Sequence, residues 1–540
     1  MQELQIISYP VQLANFDLAG GLQGKPQKIF ACPNPPVEAI EAGVAIAVPS
    51  GKFDVGLILD QLPAQFEPDV LFMSARNLEF RPLNLAKFRC PKVMKLGDTN
   101  HMGNGTLSEM IEYCQSIGSD YHWIYQGVQH LHFFQEAGLS NVFWLPGSIV
   151  LNPFVPEQKS HKRYDVCFRG SLSNTHRYRQ KLVEFLQANH VNISIAQKSY
   201  HDSLVDYAES RIVFNCSGGG DFNRRVFEVL MAGGFLLTDR LRPHSGLPSL
   251  FQEGVHLECY GSPKELLEKV DYYLAHPARA EEIALAGQRK FHQDYHPDLI
   301  KEKFHRFIFE GELEAPFRVQ NDKRFTILGS AKRKIEQNQL QERLKLYELV
   351  QSIHHLNDSL DLLYWKPGNY AAISDLADLP RLNLTCALTS QAIASFSNWL
   401  ERLELTSQVH AIPVSSSSEL GSVAMIVMEF SGQVQPFAND LKTLAPSLKK
   451  GGVVLVLGGH KHLDSLAQLF PGSRWEKVEL LEINSHRSIV AGFAKAYRKR
   501  SRYFKSGSLA DSLQIFVHEK LALSTKVKIK LKGAMTQFVR

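Results

Sequence analysis

The stretch Arg211–Arg240, RIVFNCSGGGDFNRRVFEVLMAGGFLLTDR, holds the densest set of groups able to grip a phosphorylated ligand. Gly218, Gly219 and Gly220 let a backbone approach a ligand closely. Arg224 and Arg225 would add charge-assisted bonds to phosphate oxygens. The free N–H groups and positive dipole end of the helix that follows favour an anion. Projected on that helix, Val226, Phe227, Val229 and Leu230 share one broad apolar side, and Arg224 and Glu228 lie one turn apart on the other. Elsewhere such a pair would read as a surface ion pair contributing about 0.3–0.5 kcal/mol; behind a glycine loop it reads as a ligand contact. Asn215, Gly219, Gly220, Arg224, Arg225 and Glu228 are therefore candidate binding residues.

A second set lies in KVMKLGDTNHMGNGTLSEM, where Asp98 and His101 follow a strand and Thr106-Leu-Ser-Glu109 forms a capping box for the next helix. Polar residues at the carboxyl end of a strand face the cleft of a doubly wound sheet. Loop capping by Asp98 and a surface position for His101 are the competing readings. His122, His130 and His132 show no metal-ligand pattern and read as structural, on or near helices. No Asp-x-Asp pair occurs and no carboxylate cluster is evident, so no metal site is expected. The seven cysteines are scattered without a C-x-x-C, which suits reduced core thiols better than disulfides or zinc.

The elements that must position these groups form three series. In residues 1–155 KIFACPN, FDVGLILDQL, DVLFMSARN, KVMKLGD and NVFWLPGS read as strands, and LSEMIEYCQSIG and QHLHFFQEAGL as helices. Continuous apolar strands separated by helices indicate a parallel sheet covered on both faces. A second series fills 156–318: strands RYDVCFRGS, VNISIAQ, RIVFNCS, GGFLLTDR and VHLECY, then a helical closure from Pro263. A charged connecting helix is expected over 319–350, a third α/β series over 351–490 and a basic tail over 491–540. From Lys495 onward twelve Lys/Arg face only Asp511 and Glu519, so this segment carries +10 and the rest of the chain −5. The lysines of TKVKIKLKG (Lys526, Lys528, Lys530, Lys532) would share one face of a strand, either guarding an edge or meeting an anionic surface.

The pattern Arg225-x-Phe227-Glu228, the Gly233-Gly234 turn and FLLTD resemble the nucleotide-sugar site of GT-B glycosyltransferases of the family 4 kind, and more closely the CgeB/YkvP spore-protein glycosyltransferase-like group. YDVCFRGSLSNTHRYR upstream and GLPSLFQEGVHLECYGSPKELLEKVDYYLAHPARAEEIALAGQRKF downstream resemble the same group. The resemblance implies a GT-B fold, two Rossmann-like doubly wound domains facing a cleft. It also implies that Glu228 holds the nucleotide ribose, that Arg169, Gly170 and Ser171 face the diphosphate, and that Arg177 or Arg179 assists. One departure is that Gly220 stands eight positions before Glu228, where the family commonly has an acidic residue; Asp221 is adjacent. On the acceptor side Asp98 or His101 would orient a hydroxyl or support charge developing at the sugar.

Residues 358–457 resemble a Rossmann-like methyltransferase in element order, with DLLYWKPGNY at the cofactor loop and LKKGGVVLVLGG at a strand entry. The loop keeps only Gly368, and Thr389 stands where a carboxylate grips the ribose, so a degenerate domain without S-adenosylmethionine is expected. The expectation is thus a metal-independent, retaining glycosyltransferase that needs no cofactor beyond its nucleotide-sugar donor. Its acceptor would be a glycan, lipid-linked or protein group. Its location would be cytoplasmic, with the tail as a peripheral contact at the inner membrane face rather than a nucleic-acid binder. The alternatives are a non-catalytic sugar-nucleotide-fold binding protein and a bifunctional glycosyltransferase/methyltransferase.

Overall fold

The computed structural model describes residues 1–313, 340, 343–351, 359–458, 475–478 and 513–518, apart from 12, 75, 98, 100–105, 155–161, 173–176, 369, 420 and 431. The chain divides into two compact units, Met1–Gln320 and Asn321–Arg540.

The first unit holds two parallel sheets. Its first sheet is built from β1 (Glu3–Ile6), β2 (Lys28–Cys32), β3 (Ala45–Ala47), β5 (Val70–Ser74), β7 (Lys92–Leu96), β8 (Tyr121–Ile124) and β9 (Val142–Trp144), in the order β3-β2-β1-β5-β7-β8-β9. Short strands β4 (Lys52–Asp54) and β6 (Arg81–Leu83) pair beside it. The apolar run Val70–Met73 is buried at every position, as a strand covered on both faces requires. Thr106 and Glu109 form the expected capping box at the start of α1 (Leu107–Ile117). The expected strand Phe53–Leu62 is corrected: the chain leaves β4 at Asp54, whose Oδ1 accepts the Gly56 amide at 2.6 Å, and turns into the short helix Gly56–Leu59. His122 lies in β8, not on a helix. Its ring bonds Ser119 Oγ (3.0 Å) and the Ser140 carbonyl (2.8 Å), and burial pushes its pKa down.

The second sheet has β10 (Tyr164–Arg169), β11 (Ile193–Ala196), β12 (Ser210–Phe214), β13 (Leu236–Asp239) and β14 (Glu258–Tyr260), ordered β11-β10-β12-β13-β14 and parallel throughout. Between and after these strands come α2 (Arg177–Ala188), α3 (Tyr200–Ala208), α4 (Arg225–Met231), α5 (Pro263–Ala275), α6 (Pro277–Lys290) and α7 (Pro297–His305). The chain then returns to the first sheet. Phe304 on α7 meets Phe72 at 5.4 Å, Trp123 at 5.4 Å and Phe143 at 6.1 Å between ring centroids, and the Tyr121 hydroxyl donates to the Ile308 carbonyl. This aromatic seam makes one compact unit of two sheets, the two-Rossmann arrangement expected.

The second unit has its own sheet: β15 (Leu360–Trp365), β16 (Leu382–Leu388), β17 (Val409–Pro413), β18 (Val423–Phe430), β19 (Leu448–Gly458), β20 (Trp475–Val478) and β21 (Leu513–His518). The order is β17-β16-β15-β18-β19-β21-β20, with β21 antiparallel to both neighbours. Three helices, α8 (Tyr370–Ala377), α9 (Ser390–Arg402) and α10 (Val434–Leu444), connect the parallel strands. Helical residues 343–351 are held by a buried two-point ion pair, Arg343 to Asp375, at 2.8 and 2.9 Å. Strand β21 falls within the segment read as a tail. The lysine-alternating stretch beyond it, Lys526–Lys532, lies outside the described residues.

Candidate active site

In the second sheet the chain winds from β10 to β11 on one side and to β12 on the other. The carboxyl ends of β10 and β12 are therefore the point where a doubly wound sheet opens a crevice for ligands. Gly170 follows β10 there with φ +151°. A Cβ at this position would fall 2.3 Å from Arg225 Nη2, so only glycine leaves room for the guanidinium. Arg225 lies over the Phe168 ring at 4.8 Å and its Nη1 donates to Asn215 Oδ1 at 2.7 Å. Its buried Nε has no partner.

Asn215, an expected ligand contact, is a hub of hydrogen bonds. Its Nδ2 donates to Thr238 Oγ1 (2.9 Å), its Oδ1 accepts Arg225 and Asn223 Nδ2, and its carbonyl accepts the Tyr260 hydroxyl (2.8 Å). It positions Arg225. The glycine loop also differs from expectation. Asp239, at the end of β13, accepts both the amide and the hydroxyl of Ser217, at 2.8 and 2.5 Å. Ser217 Oγ accepts the Gly220 amide at 3.2 Å, and Asp221 accepts the Gly219 amide at 3.3 Å. The Gly219 and Gly220 amides are thus bonded to side chains of the loop itself, whereas Arg225 brings a guanidinium to the crevice.

Arg169 differs from expectation as well. Its guanidinium is buried and bonded to the Asp206 carboxylate, the Phe168 and Ser194 carbonyls and Ser194 Oγ, so it faces β11 and not the crevice. Asp206 also takes Lys198 at 2.7 Å. A buried arginine needs such partners, and they fix its direction. Arg179 fills the bracing role instead: Nε and Nη2 donate to the Cys216 carbonyl (3.0 and 2.7 Å) and Nη1 to the Ser171 carbonyl (3.2 Å). Burial, then the nearby Arg225 charge, pulls Arg179 below its ordinary pKa. Arg179 and Arg225 thus lie within electrostatic reach of each other at this end of the sheet. Arg177 begins α2, and its side chain is outside the described residues.

Glu228 sits in the first turn of α4 with its side chain 11% exposed, and Oε1 accepts Arg224 Nε at 2.7 Å. The expected i,i+4 pair is present. Its polar side is nevertheless covered, since every residue from Val226 to Met231 is buried. Arg224, half exposed, lies 5.9 Å from the Tyr200 ring centroid. Burial, then the Glu228 charge, pushes the Tyr200 hydroxyl up to about 12.

On the facing side, Asp98 and His101 lie outside the described residues. Between them Thr99 is buried, and its hydroxyl pairs with Nδ1 of buried His130 at 3.0 Å. A small cavity joins the halves, lined by Tyr125, Gln126 and Gly147 from beyond β8 and β9 and by Phe222, Arg224 and Phe227. Tyr125, Gln126 and Tyr200 were not singled out from sequence. For the first two the signal was available, because they directly follow the unread strand Tyr121–Ile124. Among the described residues no group of three His, Cys, Asp or Glu side chains is placed to hold a metal ion, and no helix is long and apolar enough to cross a membrane.

In the second unit, the loop after β15 is closed by its own carboxylates. Glu429 Oε1 accepts the Gly368 amide and the Tyr364 hydroxyl, each at 2.9 Å, and Lys366 pairs with Asp440 at 2.8 Å. Thr389 caps α9 without a side-chain bond. The Gly368 amide is thus taken up by Glu429, and Thr389 brings a hydroxyl rather than a carboxylate to the start of α9.

Residues 157–305 match the model of a family described as glycosyl transferase-like. No curated protein sequence matches the chain. Among solved structures, Anabaena HepE in complex with UDP-glucose is similar at 13% identity, covering 57% of this chain and 100% of that one with a TM-score of 0.41. Sucrose-phosphate synthase from Thermosynechococcus elongatus is similar at 10% identity over 58% of this chain and 100% of that one, TM-score 0.38. TarM is similar at 10% identity over 44% of this chain and 54% of that one, TM-score 0.35.

Proposed function

We propose that the chain is a glycosyltransferase of the GT-B, family 4-like kind that moves a sugar from a nucleotide-sugar donor to a glycan, lipid-linked or protein acceptor. The observation that carries this is the crevice between β10 and β12. There Arg225 is held over Gly170 beside Arg179, with Glu228 one turn away, inside the segment matching the glycosyl transferase-like family. Arg225 offers its guanidinium beside Gly170 to the diphosphate, where positive charge stabilises the leaving group as the glycosidic bond to it breaks. Glu228, nearly buried, accepts ribose hydroxyls beside the bond that Arg224 makes to its Oε1. The acceptor enters from the Tyr125–Gly147 side of the cavity.

The reading extends to a metal-independent reaction with retention of configuration. Two guanidinium groups already supply the charge that a divalent ion would bring to the diphosphate. No cofactor beyond the donor is assigned, and the second unit is read as a degenerate, non-methylating domain. The test is incubation of the purified full chain with UDP-, GDP-, ADP- and CMP-sugars, following nucleotide release and transfer of labelled sugar. Turnover should persist in EDTA. Complete loss on chelation, restored by one divalent ion, would remove the metal-free mechanism. Binding of a nucleotide sugar without transfer or hydrolysis would instead favour a non-catalytic binding protein.

A further inference from the structure

The chain leaves the first sheet through the 3-10 turn Gly147–Val150 and runs through Leu151–Phe154 towards β10. Two contacts fasten this connection to the start of α3. The Tyr200 hydroxyl donates to the Asn152 carbonyl at 3.0 Å, and the Phe154 ring meets His201 edge-on at 5.6 Å. The face of Tyr200 also supports Arg224, which in turn bonds Glu228 at 2.7 Å. A run of direct contacts therefore joins Asn152, Tyr200, Arg224 and Glu228. At the same time Arg224 lines the cavity with Tyr125, Gln126 and Gly147, which belong to the half of the unit that the connection leaves.

We propose that Tyr200 is a positioning residue that couples occupancy of the donor crevice to the connection at Leu151–Phe154. This rests on the donor reading above. A ribose that bonds Glu228 shares the carboxylate with Arg224, and a diphosphate in the crevice attracts the half-exposed Arg224 guanidinium. Either event changes what Arg224 asks of the Tyr200 ring, whose hydroxyl is fixed to the connection. Coupling of this kind needs a differential contact at each end; the Arg224–Tyr200 contact would supply it at the crevice and the Tyr200–Asn152 bond at the connection. Tyr200 touches neither phosphate nor sugar, so its effect belongs in turnover and in the connection's mobility, not in donor affinity.

Amide hydrogen exchange of the peptide spanning Leu151–Phe154 tests this in the full chain, without and with whichever of UDP, GDP, ADP or CMP raises the melting temperature. In the wild type the nucleotide should slow exchange there by about fivefold or more, the lower end of typical coupling. Tyr200→Phe keeps the ring beneath Arg224 and removes only the bond to Asn152. It should bind the nucleotide with wild-type affinity, lose the slowing, and show a lower kcat at an unchanged donor KM. Arg224→Ala cuts the same path on the ligand side and should also lose the slowing at saturating nucleotide. Persistence of the slowing in both variants, or its absence in a wild type that binds nucleotide by calorimetry, overturns the coupling. Failure of the wild type to bind any of the four overturns the donor reading itself, and the coupling with it.

Discussion

At the scale of single residues, the crevice depends on two side chains and one absent methyl group. Glu228→Ala should leave the fold intact, because the carboxylate is held only by a half-exposed arginine, and should abolish transfer. The lost charge-assisted hydrogen bonds are worth roughly 1.5–3 kcal/mol each, so calorimetry should find donor affinity lowered at least tenfold. An unchanged affinity and rate would remove Glu228 from the site. Gly170→Ala is the sharper test. Its Cβ would fall 2.3 Å from Arg225 Nη2, at a φ of +151° that L residues rarely adopt. The guanidinium should be driven off Asn215, with nucleotide binding lost before overall stability. Wild-type nucleotide affinity in a folded Gly170→Ala protein would show that Arg225 is not the diphosphate anchor. The spacing of Arg224 and Glu228 was legible in the sequence because an i,i+4 relation is fixed by the helix itself. The side-chain bonding of the Gly219 and Gly220 amides was not, because it depends on Asp221 and on Ser217 held by Asp239, 22 residues further on. Arg169 was misassigned for the same kind of reason: its partner Asp206 is 37 positions away.

At the scale of elements, the strands read correctly are those whose apolar runs are continuous, such as Val70–Met73 and Val166–Phe168, since burial on both faces leaves little room for polar residues. Strand Tyr121–Ile124 was missed because His122 interrupts its apolar run. The ring is accommodated by Ser119 and Ser140, which lie outside the strand. The opposite error, Phe53–Leu62 as a strand, follows from an apolar run too short to show its period. Helix α7 falls within the helical closure expected from Pro263, but its role was not visible in the sequence. It crosses back and seats Phe304 among Phe72, Trp123 and Phe143 of the first sheet. Phe304→Ala should therefore destabilise the first unit by about 3–5 kcal/mol, the usual range for a large aromatic lost from a core. The melting temperature of the fragment 1–320 measures it. A change within about 0.5 kcal/mol, as for ordinary surface positions, would mean that the seam does not hold the two sheets together.

At the scale of the whole molecule, two physically different units share one chain. The first closes on itself, because α7 returns to the sheet where the chain begins. The second holds its leading helical residues through Arg343 and Asp375, both its own. Charge is divided as well: the segment from Lys495 onward carries +10 against −5 for the remainder. Cutting between the units should therefore separate two activities. The fragment 1–320 should be soluble, bind the same nucleotide as the full chain and show the same affinity, since every residue placed at the crevice precedes Gln320. The fragment 321–540 should carry any attraction to anionic surfaces. With each lysine near an anionic bilayer contributing about 1 kcal/mol, Lys526, Lys528, Lys530 and Lys532 together would shift partitioning roughly a thousandfold at low salt. Changing those four to Gln in the full chain should abolish sedimentation with phosphatidylserine vesicles and leave nucleotide affinity untouched. A full chain that fails to sediment with such vesicles at low salt would end the membrane reading. A fragment 1–320 that is folded but blind to the nucleotide would show that the second unit completes the donor site, and the division of labour between the units would fall with it.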